Sequence, residues 1–335
     1  MATYKGIQGY SVQTLASDPS PTQTYEGQLW YNTTSSTWKI AAGGAGSWSS
    51  GGALNNSTRQ QQGAGTQTAA LNIGGYNVPG GQGYSWNITE EYDGTSWTEV
   101  NPLNVARYGG MGCGTQTAAL TTAGYQAPPG RYIDECELYD GTTWTETADI
   151  LAARSDTEGC GTQTAALMFG GTPPTTRRSN EEWNGTSWTE ENNLLADAVG
   201  SNGIGIVTAA ICAGGGGPPG GLDRTESWNG TSWTEVNDLN TARRAAGSSG
   251  TATAGLFASG WTSPDAGSPL VEQWDGTSWS EVADVASARG FLIGASASPS
   301  SLSLMFGGDP PSAGGTTATE EWSEPVYSVK TVTTS

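Results

Sequence analysis

Asp93-Gly-Thr-Ser-Trp97 returns along the chain as Asp140-Gly-Thr-Thr-Trp144, Asn184-Gly-Thr-Ser-Trp188, Asn229-Gly-Thr-Ser-Trp233 and Asp275-Gly-Thr-Ser-Trp279. A reduced copy, Gly46-Ser-Trp48, precedes the first, and successive tryptophans of the series stand 44 to 49 residues apart. A period in the mid-forties, carried by Gly, aromatic and β-forming residues, predicts the four-stranded blades of a β-propeller.

The rest of each unit follows outward from that Trp. An aromatic precedes the turn as Tyr92, Tyr139, Trp183, Trp228, Trp274 and Trp322, with a glutamate two residues ahead of each: Glu90, Glu137, Glu181, Glu226, Glu272 and Glu320. Residues two apart in a strand share a face, so each Glu and its aromatic point the same way. Further upstream lie small-residue runs ending in glycine, such as Ala69-Ala-Leu-Asn-Ile-Gly-Gly75 and Ala165-Ala-Leu-Met-Phe-Gly-Gly171, whose last glycine is present in every unit. Downstream of the Trp come an apolar residue (Leu54, Leu103, Ile150, Leu194, Leu239, Val285) and an arginine: Arg59, Arg107, Arg154, Arg243 and Arg289, with Ala198 the exception.

These pieces assemble into four strands per unit. The first begins at the Arg; the second is the Ala-rich run, the third carries Glu and the aromatic, and the fourth carries the Trp. Asp-Gly or Asn-Gly between the third and fourth predicts a hairpin with a type I′ turn, positive φ at both central residues. Glu99, Glu146, Glu190, Glu235 and Glu281, two past each Trp, place charge on an outer edge and discourage sheet-to-sheet pairing. Each arginine is expected to pair with a repeat glutamate, holding one unit to the next. The last unit has three strands through Trp322 but no Gly-Thr-Ser-Trp, while the Trp48 segment lacks the other three. Joining the two would close a ring of six; Ser323 to Tyr327, leading into the run Val326 to Val332, is the competing fourth strand. The expectation is an all-β, six-bladed propeller over 46–324, preceded by a β-hairpin anchor over 1–45 and followed by a β tail over 325–335.

The Gly-Gly strand ends, aromatic hairpins and period together resemble kelch-type propeller repeats over roughly residues 46 to 324. Near the N-terminus, Tyr25-Glu-Gly-Gln-Leu-Trp-Tyr-Asn-Thr-Thr-Ser-Ser-Thr-Trp38 resembles the short hairpin of tail-fibre and other virion proteins of tailed, especially marine, phages. Kelch-like arrays with such hairpins are also similar to structural proteins of these phages. The resemblance implies a virion protein, made in the host cytoplasm and exposed on the particle, with other virion proteins as partners. Tyr4, Ile7, Tyr10, Leu29, Trp30, Tyr31 and Trp38 would form the anchor, being too many large apolar groups for a free linker and too short a segment to bury them alone. A homo-oligomer is expected, and the C-terminal strand could add to a neighbour's sheet.

Composition sets limits on function. Thirty-two acidic against 13 basic residues leave a net charge of −19 with no basic stripe, which disfavours a nucleic-acid partner. No run of 18 apolar residues occurs, so membrane insertion is not expected, and Met1-Ala-Thr-Tyr-Lys5 lacks the apolar core of a signal peptide. Cys113, Cys136, Cys160 and Cys212 form no CxxC pair and read as buried free thiols. Histidine is absent, which removes Ser-His-Asp and Cys-His chemistry and the His ligands of copper oxidases that share kelch architecture. The repeat turn differs from a sialidase Asp-box because Asp and Gly are adjacent. No cofactor or metal is implied; two carboxylates acting on a glycan form a distant enzymatic alternative.

The loops between second and third strands differ in every unit and are rich in Pro and Gly, the pattern of a rigid scaffold displaying recognition residues. Their aromatics and arginines are Tyr84, Trp86, Tyr125, Arg131, Tyr132, Arg177, Arg178, Arg224 and Trp261. Such types concentrate at energetic centres of interfaces and suit stacking on sugars. Two readings stay open: recognition of a host surface glycan or protein, and a decoration or connector role with contacts only inside the virion.

Overall fold

The computed structural model describes residues 13–19, 28–43, 46–77, 83–216, 221–262, 266–311, 314–324 and 327–332. It divides into two compact units, one made of 1–47 with 324–335 and the other of 48–323.

The larger unit is an all-β, propeller-like succession of four-stranded antiparallel sheets. In the first sheet Gln62–Thr66, Ala69–Ile73, Thr89–Tyr92 and Trp97–Val100 lie in that order. The second has Met111–Thr115, Ala118–Thr122, Cys136–Tyr139 and Trp144–Thr147; the third has Glu158–Thr162, Ala165–Phe169, Asn180–Trp183 and Trp188–Glu191. The fourth holds Asn202–Ile206, Ala209–Ala213, Thr225–Trp228 and Trp233–Glu235, and the fifth Gly247–Thr251, Ala254–Ala258, Val271–Trp274 and Trp279–Val282. The sixth takes Ile293–Gly294, Leu302–Phe306 and Thr319–Ser323 from one end of the chain and Ser47–Ser50 from the other. Each first strand starts about four residues past the arginine, not at it, because the arginine belongs to the connecting loop.

The repeated turn is a hairpin, but not a two-residue type I′ turn. Trp97 pairs with Tyr92 across a four-residue loop in which Gly94 has φ +88° and Asp93 has no positive φ. The carboxylate of Asp93 accepts the N–H groups of Thr95 and Ser96, both at 2.8 Å, and Asn184 does the same for Thr186 and Ser187 at 2.9 and 3.0 Å. An acceptor oxygen is all the turn requires, which explains why Asp and Asn interchange there.

The paired residues at the end of each second strand are both left-handed, and their angles differ. The first lies near +60°, at Gly74, Ala123, Gly170, Gly214, Ser259 and Gly307, a region that Ala and Ser can enter; the second lies between +97° and +114°, at Gly75, Gly124, Gly171, Gly215, Gly260 and Gly308, where only Gly fits. Every second glycine also donates its N–H to a connecting loop: Gly75 to Arg107, Gly124 to Arg154, Gly171 to Ala198, Gly215 to Arg243, Gly260 to Arg289 and Gly308 to Thr58. The position equivalent to the repeat arginine is therefore Thr58 in the first unit, and Arg59 stands one residue outside the series.

The fourth-strand tryptophans fill the spaces between sheets. Trp97 packs with Leu54, Ala70, Tyr92, Leu304 and Phe306, joining first and sixth sheets, and Trp188 packs with Met111, Cys136, Met168 and Trp183, joining second and third. Three of their indole N–H groups reach back to a threonine of the preceding sheet, Trp97 to Thr319 at 3.0 Å, Trp144 to Thr89 at 3.0 Å and Trp279 to Thr225 at 3.1 Å. All four cysteines are buried and unbridged.

The smaller unit is a sheet in the order Gln13–Leu15, Leu29–Asn32, Thr37–Gly43, Tyr327–Thr331. Asn32 shapes its hairpin by accepting the Thr34 and Ser35 N–H groups, and Asp18 accepts from the Trp30 indole at 3.0 Å and from the Asn32 amide at 2.6 Å. Those two donors hold the Asp18 carboxyl below its usual range. Trp30 is buried while Leu29 and Trp38 are exposed, and Tyr31 stacks edgewise on Trp38. Tyr4, Ile7 and Tyr10 lie outside the described residues. The C-terminal run does not supply the sixth sheet's last strand: Val329 pairs with Ala41, and Tyr327–Thr331 forms the edge of the smaller unit's sheet.

Candidate functional site

The variable loops of the first two sheets form one structure. Tyr76–Asn77 pairs with Tyr84–Ser85, and Tyr125–Gln126 with Arg131–Tyr132, giving two short hairpins. They are joined to each other: the Ser85 N–H donates to the Ala127 carbonyl at 2.9 Å, the Ala127 N–H to the Ser85 hydroxyl at 2.7 Å, and that hydroxyl to the Tyr125 carbonyl at 3.2 Å. Gly83 is needed here because its backbone runs against the Tyr76 phenol, 1.7 Å from where a Cβ would sit.

On this base a ladder of rings is stacked. Ring centroids are 4.7 Å apart for Tyr76 and Tyr108, 5.6 Å for Tyr108 and Tyr125, and 5.2 Å for Tyr125 and Tyr132, with the Arg59 guanidinium 5.1 Å over Tyr76. Tilted and edge-to-face pairs at these spacings are the favoured geometries of aromatic rings. Burial and the neighbouring Tyr76 and Tyr125 push the Tyr108 phenol up to about 12, so it stays neutral. Tyr84 and Tyr132 are exposed at 41% and 39%, and Trp86 and Tyr125 are half-buried. Arg131 is ion-paired with Glu135, and Arg59 with Asp309.

The sequence-expected residues thus divide. Tyr84, Trp86, Tyr125, Arg131 and Tyr132 come together; Arg177 and Arg178 instead share Asp197 at 3.6 and 2.8 Å. Arg224 is tied to Glu226 at 2.9 Å and to Glu235 at 2.8 Å, and the Trp261 indole packs over Gly290. Sequence reasoning missed Tyr76 and Tyr108. Both sit where loops are pinned by backbone bridges, Arg59 with Tyr76 and Tyr108 with Tyr125, and the recurrence of Tyr after the second glycine at 76 and 125 was the available signal.

The arginine series is structural. Arg107 bonds Glu137 at 2.8 Å and Arg243 bonds Glu272 at 3.0 Å; Arg154 bonds Glu181 and Arg289 bonds Glu320, all with fully or almost fully buried side chains. The partners belong to one unit: each arginine lies in the loop entering the sheet that carries its glutamate, while its carbonyl holds the previous unit's glycine. Glu137 also accepts the Asn104 and Val105 N–H groups, and Glu90, without an arginine, accepts the Asn55 N–H and the Asn72 amide. Nor does the unit at Ala198 expose its acid to water. Arg224 replaces the missing arginine, and Glu226 stays buried.

A pocket of ≈ 40 Å³, open to solvent, is lined by Gln60, Gly109, Asp156, Glu158, Gly200 and Phe291 among others. Burial pushes Glu158 up to about 8, with only the Gly159 N–H opposing it, and burial also raises Asp156 against bonds from Thr172, Ser155 and Gln60. Among the described residues no three Asp, Glu or Cys side chains converge in a metal-binding group. No helix among them is long and apolar enough to cross a membrane.

No protein-family model matches this chain, and no curated protein does. Among solved structures it is similar to one described as "Structure of YjhT", at 9% identity, a TM-score of 0.65, and coverage of 83% of this chain and 99% of that one. At that identity the likeness speaks to the fold alone.

Proposed function

We propose that this chain is a non-enzymatic structural protein of a tailed-phage virion, displayed on the particle surface, whose kelch-like propeller recognises a host surface glycan or protein. The tyrosine ladder carries the reading: a pinned, aromatic, part-exposed patch on the face where the loops vary, above a scaffold whose other parts repeat. Two observations weigh against catalysis. Histidine is missing from the sequence, and Arg107, Arg154, Arg243 and Arg289 are each spent on a buried glutamate of the repeat rather than gathered around an acid on one rim.

The scaffold itself is proposed to be a closed ring of six blades, with Ser47–Ser50 completing the last. Supporting this is a cycle of N–H to carbonyl bonds around the axis: Gly109 to Gln60, Thr157 to Gly109, Gly200 to Asp156, Ala245 to Gly200, Phe291 to Ala245 and Gln60 to Phe291. A cycle of this kind ties each unit to the next and leaves only the short outer strands as edges. The N-terminal unit, with Leu29 and Trp38 exposed, is proposed to contact other virion proteins, and a homo-oligomer is the expected assembly. Labelled antibody imaging of purified particles, together with adsorption of the isolated protein to host cells, tests the reading. Surface label plus saturable cell adsorption is expected; a particle-internal position without adsorption would favour the connector role.

A further inference from the structure

We infer that the joined hairpins of the first two units form a platform for a neutral oligosaccharide, seated on the rings of Tyr84, Tyr125 and Tyr132; the inference rests on the attachment reading above. The rings offer apolar faces with a polar tip, a match for the C–H faces and hydroxyls of a sugar. They are also held in place. Tyr125 is braced by Tyr108 on one side and Tyr132 on the other, and the backbone beneath is cross-linked through Ser85 and Ala127, so little side-chain freedom is lost on binding.

Charge selects within the sugars. Both arginines beside the ladder are occupied, Arg59 by Asp309 and Arg131 by Glu135, and the chain carries a net −19. A sialylated, uronic or sulfated chain would meet repulsion without a free cation to receive it. The make-up of the patch suits a sugar face: its exposed large apolar side chains are the rings of Tyr84 and Tyr132, while the exposed aliphatics Leu151, Leu195, Ile206, Leu222 and Leu302 belong to the third, fourth and sixth units.

The test applies the full-length protein to an array of neutral hexose and N-acetylhexosamine oligosaccharides alongside sialylated, uronic and sulfated ones. Retention on neutral members is expected. Tyr132→Ala and Tyr84→Ala should each weaken it by about tenfold or more, while Tyr132→Phe, which keeps the ring, and Arg178→Ala should not. Unchanged melting of Tyr132→Ala, whose ring is exposed, separates lost contact from lost fold. Retention only on acidic members, no retention at all, or binding indifferent to both alanine variants would overturn the inference. Adsorption to host cells that survives periodate oxidation of the cell surface would leave the attachment reading standing and end this one.

Discussion

Arg154 and Glu181 show what a repeated residue is for. Both side chains are almost fully removed from water, so the pair cannot be judged as a surface bridge. Arg154→Ala leaves a buried carboxylate with the Leu151 N–H as its remaining named donor, and should destabilise by about 3–5 kcal/mol in urea unfolding. A change below about 1 kcal/mol would mean the site admits water. Glu158 works in the opposite sense. Its folded pKa lies at about 8 against an ordinary 4.5, so between those values the native state holds a proton that the unfolded state has released. Stability contributed there is present below about pH 4.5 and falls as pH rises toward 8, by at most roughly 4–5 kcal/mol. Glu158→Gln should flatten that part of the stability profile measured by denaturant titration at stepped pH. If the slope between pH 5 and 8 is the same in both proteins, Glu158 is ionised in the fold.

At the scale of the element, the sheets are fastened by a side chain that periodic reading passed over. Gly-Thr-Gln-Thr-Ala-Ala-Leu occurs identically at 65–71, 114–120 and 161–167. Its glutamine reaches the preceding sheet: Gln116 donates to the Ala70 and Tyr92 carbonyls at 3.2 and 2.7 Å, and Gln163 to Ala119 and Tyr139. Gln67 does the same to Ser303 and Trp322 of the sixth sheet. Val207 and Ala252 stand at its place in the fourth and fifth units; the third-strand tryptophan donates to their carbonyls, as Trp183 does to that of Gln163 itself. Gln116→Ala removes two bonds to strand-end carbonyls and should cost about 1–3 kcal/mol in thermal or urea unfolding, more than Ala252→Gly. Equal costs would show that packing alone holds the sheets.

For the whole molecule, the sixth sheet is the one of the larger unit that draws strands from distant parts of the sequence. It draws its outer strand from residues 47–50, and Trp48 lies 5.4 Å from Trp322 with its indole N–H on the Ala283 carbonyl. Removing residues 1–52 would take away that strand and expose the Thr319–Ser323 edge. The truncated chain should unfold at markedly lower denaturant and associate through the bare edge, read by light scattering and analytical ultracentrifugation. A monomer of undiminished stability would show that closure contributes nothing.

Much of this was legible in the residues themselves. Strand number per unit, the hairpins and the invariant second glycine follow from local rules, because period, turn chemistry and side-chain alternation act within a few residues; between Trp48 and Tyr327 only the long-range pairing of Ser47–Ser50 with the sixth sheet decides. The turn's acceptor oxygen was local yet hidden; the offset of Arg59, eleven residues past its Trp where the other arginines stand ten past theirs, was in the spacing, but its meaning appears only when Gly308 is seen bonded to Thr58. The partners of the arginines, the substitution of Arg224 for the arginine missing at Ala198, and the pairing of Tyr327–Thr331 with Thr37–Gly43 needed the tertiary structure. So did the ladder. Tyr76, Tyr108, Tyr125 and Tyr132 are spread over 57 positions of chain, and only the packing of neighbouring units, which brings loops of different sheets within bonding distance, makes them one surface.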